Sequence, residues 1–138
     1  KHSYLYGITY YLHIAGTIPF LAGNLVKNFD IPKKYRGTSN FFTVISLGPY
    51  SNVGVGSEVI ADIYVNFGIY GIFIIMFFFG RFSAKSYAKA TSLNINYIII
   101  YLCLLAEALS INRGLLLYPL KPIVYMLILN YLFSKLKK

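Results

Sequence analysis

The stretch GSEVIADIYVNFGIYGIFIIMFFFG, from Gly56 to Gly80, constrains this chain more than any other part of it. From Val59 to Phe79 it is apolar, and at 1.5 Å per residue a helix of that length reaches about 30 Å, the thickness of a bilayer's hydrocarbon core. Its first half nevertheless carries Glu58, Asp62 and Asn66, spaced four apart. That spacing puts all three on one face of a helix. A polar stripe running below the membrane surface is costly in lipid, so it faces a bundle interior or a water-filled cavity. The plainer alternative is that the two acids only begin the helix, at the positive end of its dipole, with Ser57 as cap.

The rest of the chain agrees with a membrane setting. Hydrophobic residues make up 57% of the 138 and charged residues 12%, against about 25% charged in soluble domains. A soluble domain this short could not hide so much apolar surface, and the reading is an all-α integral membrane protein. The net charge of +9 would raise nucleic acid as a partner in a soluble chain. Here the basic residues flank apolar runs, where topology signals and lipid headgroup contacts lie, so membrane lipid is the expected partner and nucleic acid is not. A single cysteine, Cys103, excludes an internal disulfide, and no spacing marks a metal site, a nucleotide loop or a hydrolase triad. The first residue is Lys1, not Met, which reads as the C-terminal part of something longer.

Two regions are expected. Residues 1–58 form an external region. Within it Tyr4 to Val26 is apolar but broken by four tyrosines, Gly7, Gly16, Pro19 and Gly23; it reads as an interfacial or re-entrant helical region rather than a clean span. Lys27 to Ser57 is rich in turn dipeptides and reads as a long external loop with one short apolar helix around Phe41 to Leu47. Residues 59–138 form a membrane region of about three spans: 59–79, ending at Gly80–Arg81; 95–110; and 115–133, interrupted by Pro119, Lys121 and Pro122. The loop with Arg81, Lys85 and Lys89 and the tail with Lys135, Lys137 and Lys138 then share a side, which the positive-inside rule makes cytoplasmic. The long loop and the turn at Arg113 fall outside, although Lys27, Lys33, Lys34 and Arg36 run against the rule there.

Chemistry concentrates on that outer side. Asp62 and Glu58 are candidate general bases, and Asn66 extends their stripe inward as a sugar-hydroxyl partner. Arg113, in the turn between the last two spans, is a candidate anion clamp because a planar guanidinium suits phosphate or pyrophosphate; its alternative is an interfacial anchor. Arg36 in the loop can do the same, or is simply solvated. His13 is a candidate substrate-binding base, or a packing residue. Glu107 and Lys121 lie one to two turns from the Arg113 turn on opposite helices and read as a structural charge pair, with Glu107–Arg113 as the variant. Gly68 and Gly71 are read as close-packing residues.

The run from Gly56 to Arg81, with its small–acid–aromatic stretch followed by Asn-Phe-Gly-x-x-Gly and a hydrophobic segment closing on glycine, resembles the C-terminal region of bacterial O-antigen and capsule repeat-unit polymerases of the Wzy type. The Asn112-Arg113-Gly114 turn fits the same pattern, and the resemblance covers most of residues 38 to 138. It implies a multi-pass glycosyltransferase of the bacterial inner membrane. Such an enzyme joins undecaprenyl-pyrophosphate-linked oligosaccharide repeat units at the periplasmic face, in lipopolysaccharide or capsule synthesis, without a metal or other cofactor. A chain-length regulator is a candidate partner. Carried over, Arg113 would hold the departing pyrophosphate, with Arg36 as second candidate, and Asp62 or Glu58 would orient or deprotonate the acceptor hydroxyl. Helices upstream of Lys1 would be needed to complete such a site, so the piece alone is expected to be inactive. An O-antigen ligase and a non-enzymatic lipid-linked oligosaccharide flippase are the alternatives. The long external loop before the acid stripe favours a transferase over the flippase, which should show internal symmetry across many more helices.

Overall fold

The computed structural model describes residues 4–136. Among these residues all regular structure is helical: α1 (Ile8–Ala15), α2 (Leu21–Asn28), a 3-10 turn (Lys33–Tyr35), α3 (Thr38–Leu47), α4 (Val59–Thr91), α5 (Ile95–Ala106), α6 (Ala108–Asn112) and α7 (Leu120–Leu136). Lys1, and Lys137 and Lys138 of the basic tail, lie outside the described residues.

The N-terminal apolar region is not one span. Gly16 and Pro19 divide it into α1 and α2, each of eight residues, or about 12 Å of helix apiece. The Lys27–Ser57 segment is more ordered than a loop. α2 runs to Asn28, the 3-10 turn follows Pro32, and α3 forms where the short apolar helix is expected. The irregular segment after α3 is tied back to it: Ser39 Oγ donates to the Val55 carbonyl at 3.1 Å, and the Val55 N–H donates to Thr43 Oγ1 at 2.9 Å.

α4 is the one described helix both long and apolar enough to cross a membrane. Its midsection exposes Phe73, Ile74, Phe77 and Phe78, an apolar surface that calls for lipid or further protein. It does not stop at Gly80–Arg81. The expected basic loop from Arg81 is helical to Thr91, because Ala, Lys and Arg there are good helix formers and neither Pro nor a further Gly follows Gly80. The chain turns instead at Ser92–Asn94, with Leu93 at φ 60°. Ser57 does not cap α4 either; Glu58 holds the cap position without a side-chain bond, and its carbonyl accepts from the Asp62 N–H at 2.8 Å.

Inside α4, Gly68 has φ 71° and ψ −170°, a break that divides the helix in two. That combination is essentially glycine-only. The N-terminal segment uses the break: the Leu5 N–H donates to the Val65 carbonyl at 2.7 Å. Gly71 is buried against Phe67 and Ile63 of α4 itself, across the break, and not against a second helix.

α5 pairs with α4 on one side and α7 on the other. It ends at Ala106, but the backbone continues nearly helical through Glu107 into α6: Glu107 N–H bonds the Cys103 carbonyl, and the Glu107 carbonyl accepts from Ile111 N–H. The prolines do not interrupt the last helix. Pro119 precedes α7 and Pro122 sits in its first turn, where an N–H has no helical partner to lose. At one end of the bundle Tyr10, Val59, Ile63, Ile111 and Leu116 make a core. It joins α1, the start of α4 and the α6–α7 turn. At the other end Asn130 Nδ2 donates to Asn96 Oδ1 at 2.9 Å and Lys89 Nζ to the Tyr97 hydroxyl at 3.3 Å. Asp62, Arg113 and the N-terminal helices therefore share one end.

Candidate functional site

Asp62 and Asn66 of the polar stripe are buried, and they are what hold α1 and α3 to α4. Asp62 and Thr38 are 0% exposed, and Thr9 and Asn66 are 2% exposed. Thr38, the first residue of α3, donates its hydroxyl to Asp62 Oδ1. The Thr38 hydroxyl also reaches Thr9 Oγ1 at 3.5 Å, and Thr9 donates to Asn66 Oδ1 at 2.9 Å. Asn66 closes the network by donating Nδ2 to the Asp62 carbonyl at 2.9 Å, with Asp62 Oδ1 at 3.4 Å. One buried chain of hydroxyl, carboxyl and amide groups thus fastens α1 and α3 to α4. Such a network is rigid when satisfied and costly to break. Two atoms in it have no hydrogen-bond partner, Asp62 Oδ2 and the Tyr10 hydroxyl. They fall short of bonding each other, though they are near enough that Asp62 adds to burial in raising the Tyr10 hydroxyl far above its ordinary range.

What the network positions lies one step beyond it. His13 is one turn after Thr9 on α1, and Arg36 is two residues before Thr38. Both line a cavity of about 270 Å³ with Thr9, Gly37 and Leu115. His13 is half-buried, and burial holds its imidazole below the ordinary value. The Leu117 carbonyl and Asp62 pull the other way, and Lys121 adds to the lowering. An imidazole so held is neutral near pH 7 and can accept a proton. Arg36 is exposed, and its Nε donates to the Ile31 carbonyl at 2.8 Å. That bond fixes the stem and leaves the two terminal nitrogens of the guanidinium for an anion.

A second cleft of about 570 Å³ is lined by Glu107, Ser110, Arg113 and Tyr118. Tyr118 also meets the His13 ring edge-on, 5.8 Å between ring centres, and so links this cleft to a residue of the first cavity. Gly114 is buried directly beneath Tyr118, where a Cβ would collide with the ring. This explains the glycine after Arg113 by close approach.

The expected site residues therefore divide. His13 and Arg36 meet in one cavity. Arg113 and Glu107 share the neighbouring cleft. Asn66 and Asp62 meet in the buried network, and Asp62 borders none of the cavities described here, so as placed it supports the site rather than touching what enters it. Glu58 is exposed at the start of α4, outside all of them. The Glu107–Lys121 charge pair is not formed among the described residues; Lys121 lies over the Tyr125 ring, 5.8 Å from its centre, because the prolines beside it start a new helix that turns it outward. Thr9, Thr38 and Tyr118 were not legible as site residues. A single threonine in an apolar run is ordinary, and the one available signal was that Thr9 precedes His13 by four.

The model of the family described as O-antigen polysaccharide polymerase Wzy matches residues 1–136. The chain belongs to this family. Wzy proteins are inner-membrane proteins of polysaccharide biosynthesis that act on lipid-linked oligosaccharide repeat units. No curated protein and no solved structure matches the chain.

Proposed function

We propose that this chain carries the outer-face site at which a lipid-linked glycan is transferred onto the next lipid-linked repeat unit. The observation that carries the reading is the meeting of His13 and Arg36 in one cavity, in a chain of the Wzy family. An acceptor hydroxyl attacks the anomeric carbon of the donor glycan. The carbon–oxygen bond to the pyrophosphate breaks, its electron pair leaves with the phosphate, and the acceptor proton passes to His13. Arg36 matches the charge that develops on the departing pyrophosphate, a contact stronger in the transition state than before it. Arg113, across Tyr118, holds a second anionic group in the adjoining cleft, and Asn66 and Asp62 keep α1 and α3 in place. Glu58, exposed at the helix start, has no assigned role in this step.

The membrane arrangement follows the same reading. Residues 1–58 form the periplasmic layer, α4 is one span, and the near-continuous α5–α6 pair and α7 are two more. The inner membrane, the undecaprenyl carrier and a multi-pass topology belong to this proposal. The test is complementation of a deletion strain with the full-length gene, reading surface polysaccharide as a ladder on a gel at matched membrane abundance. His13→Ala and Arg36→Ala should keep single repeat units on the lipid-A core and lose the ladder. A full ladder from both variants would refute this site, and a ladder that survives deletion of the gene would refute the function for that polysaccharide.

A further inference from the structure

The break at Gly68 opens a separate cavity of about 490 Å³, lined by Tyr4, Tyr6, Asn66, Phe67, Gly68 and Tyr70 among others. Non-helical backbone inside a membrane-crossing helix is tolerated only where it is buried in protein or lines a water-filled cavity. Gly68 lines one. Tyr6 and Gly7, both with positive φ, turn the chain so that Leu5 is buried while Tyr4 and Tyr6 face outward. Tyr4 packs edge-on with Tyr6 and with Tyr64, at 6.3 and 6.1 Å between ring centres. Tyr6 is 84% and Tyr70 80% exposed, so both rings keep open faces. Beneath them the Asn66 amide is held in one orientation from both of its ends, by Thr9 and by the Asp62 carbonyl.

We propose that this cavity is a carbohydrate subsite, in which a sugar ring of the lipid-linked glycan stacks against Tyr6 and Tyr70. Open aromatic faces suit the apolar C–H face of a pyranose, and the exposed tyrosine hydroxyls suit its polar rim. The place is right for one. Thr9 lines the His13–Arg36 cavity and donates to Asn66, so the two cavities lie on either side of a single hydrogen bond. On this reading a glycan whose pyrophosphate end sits at Arg36 extends past the Thr9–Asn66 bond toward the tyrosines. An isoprenoid tail is better served by the neighbouring cavity of Phe41, Phe42, Ile45 and Val65, whose walls are mostly apolar. The inference rests on the glycan-transfer reading above.

The test uses the full-length protein in lipid nanodiscs with lipid-linked repeat units from the producing strain, measuring rate against their concentration. Tyr70→Leu and Tyr6→Leu remove the ring face and should each raise KM about tenfold with kcat little changed, whereas Tyr70→Phe keeps the face and should stay within about twofold of wild type. Both tyrosines are exposed, so neither change opens a core cavity. A leucine variant with the wild-type KM overturns the proposal, and is the result an isoprenoid occupant would give. Tyr70→Phe as impaired as Tyr70→Leu also overturns it, since the hydroxyl and not the ring would then carry binding. If the wild type transfers nothing, the glycan-transfer reading fails by itself. Saturation-transfer NMR with the lipid-free repeat-unit oligosaccharide then decides the subsite: a signal lost in Tyr70→Leu supports it, and no signal with wild type overturns it.

Discussion

Thr38→Val is the sharpest single probe of the buried network. Threonine and valine have nearly the same shape, so the change removes one hydroxyl and leaves the packing of a residue that is 0% exposed. The hydroxyl is the main partner of Asp62 Oδ1; Oδ2 has none, and the remaining contact is Asn66 Nδ2 at 3.4 Å. Leaving a buried acceptor unsatisfied costs about 1–3 kcal/mol, and a carboxyl group lies toward the upper end. Thr38→Ser keeps the hydroxyl and loses one buried methyl, about 0.8 kcal/mol. For a chain of this size roughly 3–5 °C of melting temperature corresponds to 1 kcal/mol. Thermal unfolding followed by circular dichroism in one mild detergent should therefore show Thr38→Val lower by about 10 °C and Thr38→Ser by about 3 °C, on the same scale. If valine melts no lower than serine, the hydroxyl does not hold α1 and α3 to α4 and the account of the network fails. A Thr9→Val, Thr38→Val pair checks the same point, since residues in one hydrogen-bond network should be non-additive by about 0.5–3 kcal/mol.

Gly68→Ala should be destabilising by about 1–3 kcal/mol from backbone strain alone, because its added Cβ would meet Tyr4 only at ordinary van der Waals distance, 3.7 Å and beyond. Gly23→Ala in α2, with open space around it, is the control and should be neutral or stabilising by up to about 1 kcal/mol; equal melting temperatures would refute the strained break. His13 gives a pH prediction with a definite sign. Burial depresses its folded value from the ordinary 6.5, so the unfolded state binds more protons in the window below 6.5. Both stability and the base form should hold at neutral pH and fall away as the pH drops through that depressed value. The acid limb of the polymerisation rate should have its midpoint below 6.5 and disappear in His13→Gln, and a midpoint above it would refute the buried, neutral imidazole.

Much of this molecule is readable from its residues, and the failures have common causes. The membrane-length run at Val59, the short helix at Phe41 and the gathering of Asp62 and Arg113 at one end follow from apolar length, turn residues and the three- to four-residue period. The helix ends do not. Gly80 stops nothing because the eleven residues after it, Arg81 to Thr91, favour helix in sum, and a single glycine costs only about 1 kcal/mol. The opposite error occurs at Gly68, which looks like a packing glycine. Only the returning N-terminal chain, sixty residues away in sequence, shows that it must break. Spacing correctly placed Asp62 and Asn66 on one face, but it could not tell whether that face lines a cavity or is closed by other parts of the chain. Thr9 and Thr38 decide that, and nothing local marks them.

The break and the network depend on each other. Asn66 is two residues before Gly68, and Val65, whose carbonyl takes the Leu5 N–H, is three before it. An unbroken α4 would offer that carbonyl to Ile69. Leu5 would lose its anchor, and the Tyr6–Gly7 turn that starts α1 would lose its reason to lie there. Thr9 would then have no fixed place beside Asn66, nor His13 beside Arg36. Asp62 and Asn66, near the start of α4, thus bind the chain's own hydroxyls. By holding α1 across a broken helix, they put a neutral imidazole on one side of the Thr9–Asn66 bond and three tyrosines on the other.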